Sequence, residues 1–531
     1  MTKRILLWAA VSPLFICGLL PIIFMLVSST VADGEFTFSA YSELLGSTRQ
    51  WLLLENSLIL AGIVAFSVTI IGVSFGILIG KSDLPLKKWL LFILCIPILI
   101  PPYIVAVAWD QLLAPGQGPL LLFPQPWHEK VHRLLFGLAG SVFVLSTVYL
   151  PIPLLLTSFF VRTVNPRFEE AARLNAAWPR VIRQITLPLI WPGILLASML
   201  VFVLTIGQLS VPSYLRFQVF SVESFTRFSA LYDFKGATAN SIPLAVMVLP
   251  LLFLEVCLAK KWNLFTSGMV QARGLLQIRL GKWKTPAFTL VFVFAFIFVV
   301  LPLGYLVINS CQKGVYLRAI EMAGEPLKRS FFYSAVAASI LSICGFMAAY
   351  AIKNQAICCW RLVNMAGLFL FALPGTVLGI GLIGLWNTKW THFVYGSMSI
   401  VIMGYVAKYY ILSVKVIEGR FLQIPSSMEE AAQLAGASWL RRMISVLFPL
   451  SRRWVFASWL CVFIFCLRDT DITMLVYPPG CDTLPVRIFT TMANGSPQLV
   501  AAMCVLMVLS VVVPAAFVWI TLMASGRWEN V

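Results

Sequence analysis

The sequence predicts an all-α polytopic membrane protein, with about twelve transmembrane helices arranged as two parallel six-helix repeats. Three observations carry this. The 531 residues are 60% hydrophobic and only 11% charged, and their mean hydropathy of +0.91 leaves too little polar surface for a soluble globule. Apolar stretches of about 20 residues, the length that crosses roughly 30 Å of hydrocarbon as a helix, recur from end to end. A polar passage, EEAARLNAAW at 169–178, returns as EEAAQLAGASW from 429.

The expected spans in the first half are 5–29, 57–80, 89–109, 134–159, 190–212 and 241–259. In the second half they are 286–309, 330–352, 362–384, 393–414, 454–477 and 498–523. Lys3 and Arg4 precede the first stretch as in a signal peptide, but it is too long and lacks a clear small-residue cleavage site, so it reads as an uncleaved span.

Lys and Arg resist translocation and gather in cytoplasmic loops. With the N-terminus inside, 25 fall in inside segments, 12 in outside ones and 2 within spans. Both termini are therefore expected in the cytoplasm. The formal charge of +18 reads as topology, not as a nucleic-acid footprint. The basic loop KKWNLFTSGMVQARGLLQIRLGKWK also suits anionic lipid head groups. Most of the eleven cysteines fall inside spans as small apolar side chains, and Cys311 and Cys481 are both expected outside, where pairing is open.

Glu170 and Glu430 are 260 residues apart, close to half the chain, with six expected spans between them. An even number returns the second copy to the same side, so the halves, 1–265 and 266–531, are parallel repeats. Both copies lie in the loop between the fourth and fifth spans of their half. In the second, Ala431, Leu434 and Ala435 share a helical face at i, i+3 and i+4, while Glu429, Glu430 and Gln433 offer polar contacts. One copy alone reads equally well as a helix lying on the membrane; two copies at matching places favour a two-fold docking surface.

The pattern EAAxxxGA followed by a proline-leucine pair resembles the cytoplasmic loop of type I ATP-binding-cassette importer permeases. The second copy matches with Glu430, Ala431, Ala432, Gly436, Ala437, Pro449 and Leu450. The first has Glu170, Ala171 and Ala172, but Ala176 where the family prefers glycine, and its Pro188 arrives one residue early. Together with DITMLVYPPGCDTLPVRIF at 471–489, the paired halves resemble the fused permeases of the ferric-iron and thiamine importer group. The resemblance implies a coupling helix in each loop and two copies of an ATP-binding subunit. It also implies a soluble or lipid-tethered substrate-binding protein and a bacterial inner-membrane location. No cofactor and no catalysis on this chain are implied. A secondary transporter of two six-helix halves is the alternative, and it leaves the duplicated loop unexplained.

Two motifs point elsewhere. GILIGKS at 76–82 is one residue short of the GxxxxGK[ST] phosphate loop and ends an apolar span, so ATP hydrolysis is expected on a partner. HEKVH at 128–132 matches the zinc-protease HExxH, but the only other histidine is His392 and no third ligand is indicated. An amphipathic helix in an outside loop is the expectation, with no metal.

Arg468, Asp469 and Asp471 fall inside the eleventh expected span, where charge costs a few kcal/mol; the fifth span offers Gln208. Either an Arg468–Asp471 pair at i, i+3 holds a bend, or the cluster and Gln208 line the substrate pathway or its outer gate. The net negative charge favours a cation. Prolines in IPILIPPYIVAVAW at 96–109 and FALPGTVLGIGLIGLW at 371–386 break the third span of each half, as packing kinks or as markers of a central pathway. Lys408, beside Tyr409 and Tyr410, reads as snorkelling to the cytoplasmic interface.

Overall fold

A computed structural model describes residues 2–32, 35–36, 39–114, 125–266 and 276–524. Parts of the basic loop after 260 and of the loop before HEKVH lie outside them. The protein is an all-α, multi-pass membrane protein. Among the described residues, β structure is confined to a two-residue ladder, Val31–Ala32 with Glu35–Phe36, and a single bridge between Ser82 and Ile278.

Among the described residues, nine helices are long and apolar enough to cross a membrane, and counting each of two bent helix pairs as one span brings the number to eleven. The sixth expected span, 241–259, lies within helix Phe234–Thr266. Spans drawn at 190–212 and 454–477 begin earlier, in the polar loops: Trp178–Ile206 and Trp439–Leu467 are both 29 residues long.

The bent pairs are the third expected spans. Lys87–Leu99 meets Pro102–Leu113 at 101°, and Trp360–Ala372 meets Gly375–Trp386 at 108°. The cause is local. A residue before proline is driven out of the helical region: Ile100 is extended (φ −105°, ψ 158°) before Pro101, as Leu373 is (φ −66°, ψ 140°) before Pro374. Pro101 and Pro374 are themselves non-helical, with ψ 132° and 141°, so each chain turns through two consecutive extended residues.

Proline also explains four π-helical turns. Leu14–Leu19, Ile182–Thr186, Phe296–Val300 and Met443–Leu447 each end one residue before an X-Pro step, at Pro21, Pro188, Pro302 and Pro449. A proline has no N–H for the carbonyl four residues back. A wider i→i+5 turn absorbs that missing bond without ending the helix.

The residues gather into two compact units that interleave along the chain. One comprises 1–50, 223–248 and 321–490, the other 51–222, 249–320 and 491–531. In the first unit, helix Leu20–Ser29 packs on the buried limb Gly375–Trp386. In the second, Leu301–Ser310 packs on the buried limb Pro102–Leu113 and on Pro497–Ala524. Gly72, Gly76 and Gly80 let helix Thr48–Lys81 lie directly against Pro153, Leu154, Thr157 and Ser158: a Cβ at any of them would come within 2.9 Å of that helix.

Candidate functional site

The first Glu-Ala-Ala loop is built from a capped helix. Asn165 accepts the Arg167 N–H at 3.1 Å, and Pro166 starts helix Pro166–Arg173. Glu169, in the first turn, is 1% exposed. Its Oε1 accepts from Lys81 Nζ, itself buried, and from Thr186 Oγ1 at 2.7 Å. Lys81 ends helix Thr48–Lys81 and Thr186 lies in the π turn, so one carboxylate joins three elements. Glu170 and Ala171 are exposed, Ala172 and Ala176 half-buried, and Leu174 is 84% exposed.

In the second loop, helix Ser426–Leu434 presents Glu430 and Ala431 outward, with Ala432 half-buried. Tyr350 donates its hydroxyl to Glu429 Oε1 at 2.8 Å, and Lys353 Nζ donates to the Ile424 carbonyl at 3.2 Å. Gly436 has φ +79°. Its N–H reaches the Gln433 carbonyl at 3.0 Å, and the Ala437 N–H reaches the Ala432 carbonyl at 3.0 Å. This is a Schellman end, with glycine at the left-handed position. Leu434 is 89% exposed.

The two loops differ at their turns. Ala176 is not among the residues of positive φ; there the Arg173 guanidinium, lying 5.2 Å over the Trp178 ring, donates to the Ala176 carbonyl at 2.7 Å. The second loop has one residue more, and Ser438 caps helix Trp439–Arg442 by accepting the Arg441 N–H at 3.4 Å. The additional residue accounts for Pro188 coming one place early. Sequence reasoning missed Lys81 and Tyr350. GILIGKS held the signal: its glycines are a packing stripe, and its lysine is the partner of Glu169.

Above the loops, the charges expected inside the eleventh span lie just past its end. Helix Phe448–Leu467 stops with Arg468 as its C-cap. Asp469, 4% exposed, accepts the Tyr409 hydroxyl at 2.6 Å and the N–H groups of Ile472 and Thr473 at 3.1 and 3.4 Å. Arg468 lies 4.5 Å over the Phe465 ring. Asp471 packs so closely on Gly375 that a Cβ there would stand 2.7 Å from its own. Lys408 does not snorkel away: its Nζ is 3.5 Å from Asp469 Oδ2, with its side chain largely buried. The cluster therefore holds two charges of each sign, and the argument for a cation from its net charge falls. Gln208, likewise buried, accepts the Tyr149 hydroxyl at 2.8 Å and donates to Ser210 Oγ at 2.7 Å.

No protein-family model matches the chain. It is 21% identical over 505 residues to a putative ferric transport system permease protein, FbpB 1, of Haemophilus influenzae, covering 89% of this chain and 79% of that one. It is also 21% identical over 530 residues to a probable ABC transporter permease protein, y4fN, of Sinorhizobium fredii, covering 94% and 91%. The chain is an ABC transporter permease. A putative 2-aminoethylphosphonate transport system permease protein, PhnV, of Salmonella typhimurium aligns over 240 residues at 22% identity, covering 43% of this permease but 90% of its own length.

In the permease, HEKVH lies in helix Gln125–Leu135; the His128 side chain is outside the described residues. Glu129 accepts from Arg133 at 3.0 Å, and His132 Nε2 lies 2.8 Å from Asp110, which also accepts the Tyr214 hydroxyl at 2.6 Å. Glu129 therefore sits in an exposed ion pair along its own helix, while His132 is half-buried against Asp110. Cys311 and Cys481 are free thiols.

Proposed function

We propose that the permease moves a small solute into the cytoplasm across a bacterial inner membrane, driven by ATP hydrolysed on a separate subunit. Two ATP-binding subunits dock on the two Glu-Ala-Ala loops, one for each repeat (1–265 and 266–531), and a soluble or lipid-tethered binding protein delivers solute from the opposite side. Both termini face the cytoplasm, as the bias of basic residues supports. Ferric iron is the first candidate solute; the names of the full-length relatives support it, and the neutral charge cluster adds nothing. Rigid-body movement of the loops, passed to the helices that follow them, would alternate access to the path.

One observation carries the coupling reading. Leu174 and Leu434 are equivalent in the repeat, stand two residues after Glu-Glu-Ala-Ala at the end of its helix, and are among the most exposed large apolar side chains of the described residues, at 84% and 89%. An exposed leucine contributes little to its own chain, and one buried in a partner's groove is worth about 1.5–3 kcal/mol. The test is Leu174→Glu and Leu434→Glu, each coexpressed with the ATPase subunit. Tenfold or greater loss of ATPase affinity, with unchanged thermal stability, is expected. Unchanged affinity and transport in both variants would reject docking at these loops.

A further inference from the structure

The two halves hold a helix break in the same way, at positions no motif marks. The helices after the Glu-Ala-Ala loops finish with matched backbone bonds. Gly207 N–H reaches Val203 O at 3.4 Å and Gln208 N–H reaches Thr205 O at 3.1 Å; in the other half Arg468 N–H reaches Ile464 O at 3.1 Å and Asp469 N–H reaches Cys466 O at 3.2 Å. At that last residue, the side chain accepts a tyrosine hydroxyl from the preceding span, Tyr149 on Gln208 and Tyr409 on Asp469. Each tyrosine stands 20 residues before its loop glutamate, Glu169 or Glu429. The repeat therefore relates the two bonds, although their acceptors differ in chemistry.

A helix end leaves carbonyls and the following N–H groups to be satisfied elsewhere. The Asp469 side chain accepts the following N–H groups directly, whereas the Gln208 side chain ties the tyrosine to a serine beyond the break. Gln208 takes the tyrosine and donates onward to Ser210 Oγ, while its carbonyl accepts from Ser221 Oγ at 2.9 Å. Asp469 takes the tyrosine on Oδ2 and the N–H of Ile472 on Oδ1. A carboxylate needs a cation where an amide does not: Lys408 faces Asp469, and the residue equivalent to Lys408 in the first half is Val148.

We infer that Tyr149 and Tyr409 are positioning residues that latch these breaks. Movement delivered at the foot of helix Trp178–Ile206 or Trp439–Leu467 then reaches the bend instead of being taken up by fraying of the helix end. The inference rests on the coupling reading above. It turns Gln208 and Asp469 from candidate path lining into acceptors of a mechanical tie.

Two measurements test it. The first needs no partner: buried Cys466 lies three residues before Asp469, and its modification by N-ethylmaleimide in membranes can be followed by mass spectrometry, with buried Cys504 as internal control. Losing one hydrogen bond in Tyr409→Phe should speed Cys466 labelling roughly three- to tenfold and leave Cys504 unchanged. Equal Cys466 rates overturn the latch even if no ATPase ever binds. The second uses the reconstituted complex: Tyr149→Phe and Tyr409→Phe should each retain ATPase affinity but lower the solute moved per ATP hydrolysed. The pair Lys408→Val with Asp469→Gln, which copies the first-half latch, should restore both readouts relative to Lys408→Val alone. Full transport per ATP in both tyrosine variants, or failure of the copied latch to restore, overturns the inference. Loss of coupling at the loop leucines with normal Cys466 labelling in Tyr409→Phe would leave the docking reading standing and the latch refuted.

Discussion

Replacing Gly436 separates backbone strain from contact with a partner. Its φ of +79° lies in the left-handed region, and a Cβ built there meets nothing within 4 Å. Alanine therefore adds no clash within the chain. It adds the intrinsic cost of a left-handed L-residue, about 1–2 kcal/mol, which is a factor of about 5–30 in the population of the closed turn. Asparagine, which tolerates this conformation better, should cost less. The direct assay is hydrogen exchange at the Gly436 and Ala437 amides, whose bonds to Gln433 and Ala432 define the turn. Exchange should quicken in the order Gly, Asn, Ala, and ATPase affinity should fall in the same order. Tryptophan should reduce affinity beyond what its exchange rate explains, because the open space around Gly436 is where a partner would lie. If alanine and asparagine exchange as slowly as glycine, the left-handed cap is not what shapes this loop and the reasoning fails. The matching change Ala176→Gly should stabilise nothing, since the first loop closes through Arg173 without a positive φ at that position.

Removing one partner of a buried ion pair should cost about 3–5 kcal/mol. Lys81→Met and Lys408→Met should each lower the unfolding midpoint in detergent, and Lys81→Met with Glu169→Leu should recover most of the loss; a Lys81→Met protein as stable as the parent would refute the pair. Side-specific labelling of cysteines at Arg173 and Arg441 should occur only from the cytoplasm and at Asp482 only from outside; opposite accessibility of the first two would overturn the parallel repeat. In the loop between helices Thr48–Lys81 and Lys87–Leu99, Asp83 accepts the Leu280 N–H at 3.0 Å and lies 3.4 Å from Lys284, which hold its carboxyl below the usual range, the N–H foremost. A depressed carboxyl stabilises above its unfolded pKa and loses that contribution as pH falls through the folded one. Protection of the Leu280 amide should therefore persist on acidification through the ordinary carboxylate range and vanish below it; loss within that range, or an unchanged profile in Asp83→Asn, would contradict the assignment.

Hydropathy made most spans legible because it depends only on local composition. Prolines announced the interruptions of the third spans, yet not their near right angles, which need the residue before the proline and the proline itself to be extended together. What stayed hidden depends on partners distant in sequence. Lys81 ends an apolar span, and nothing local names its partner, Glu169, 88 residues on. Lys408 was misread for the same reason: Asp469 lies 61 residues away, and no periodicity relates the two. Gln208 was visible only as the counterpart of a charged cluster. Its real equivalence, to Asp469 as the acceptor of a tyrosine, emerges when the tyrosines are counted back from the repeated glutamates. The interleaving of the compact units is likewise invisible to a local pattern, since the first and last long helices carry no mark of which neighbours they will pack against.

The repeats differ most in where they place buried charge. In the first half it sits at the foot of helix Trp178–Ile206, where Lys81 and Glu169 are each 1% exposed, while the break above is a neutral tyrosine-amide bond. In the second half the foot has a tyrosine on the half-buried Glu429, and the buried ion pair has moved to the break, Lys408 on Asp469. A buried pair adds little net stability, because desolvation offsets most of its attraction, but it is unforgiving of displacement once either charge loses its partner. A hydrogen bond at a more exposed carboxylate can exchange with water at small cost. The first half is thus stiffest where the loop meets the span, and the second where the span breaks. If both loops are driven together, the same displacement is passed upward without slack in one half and resisted at the top in the other. Two halves with matching loops need not move alike.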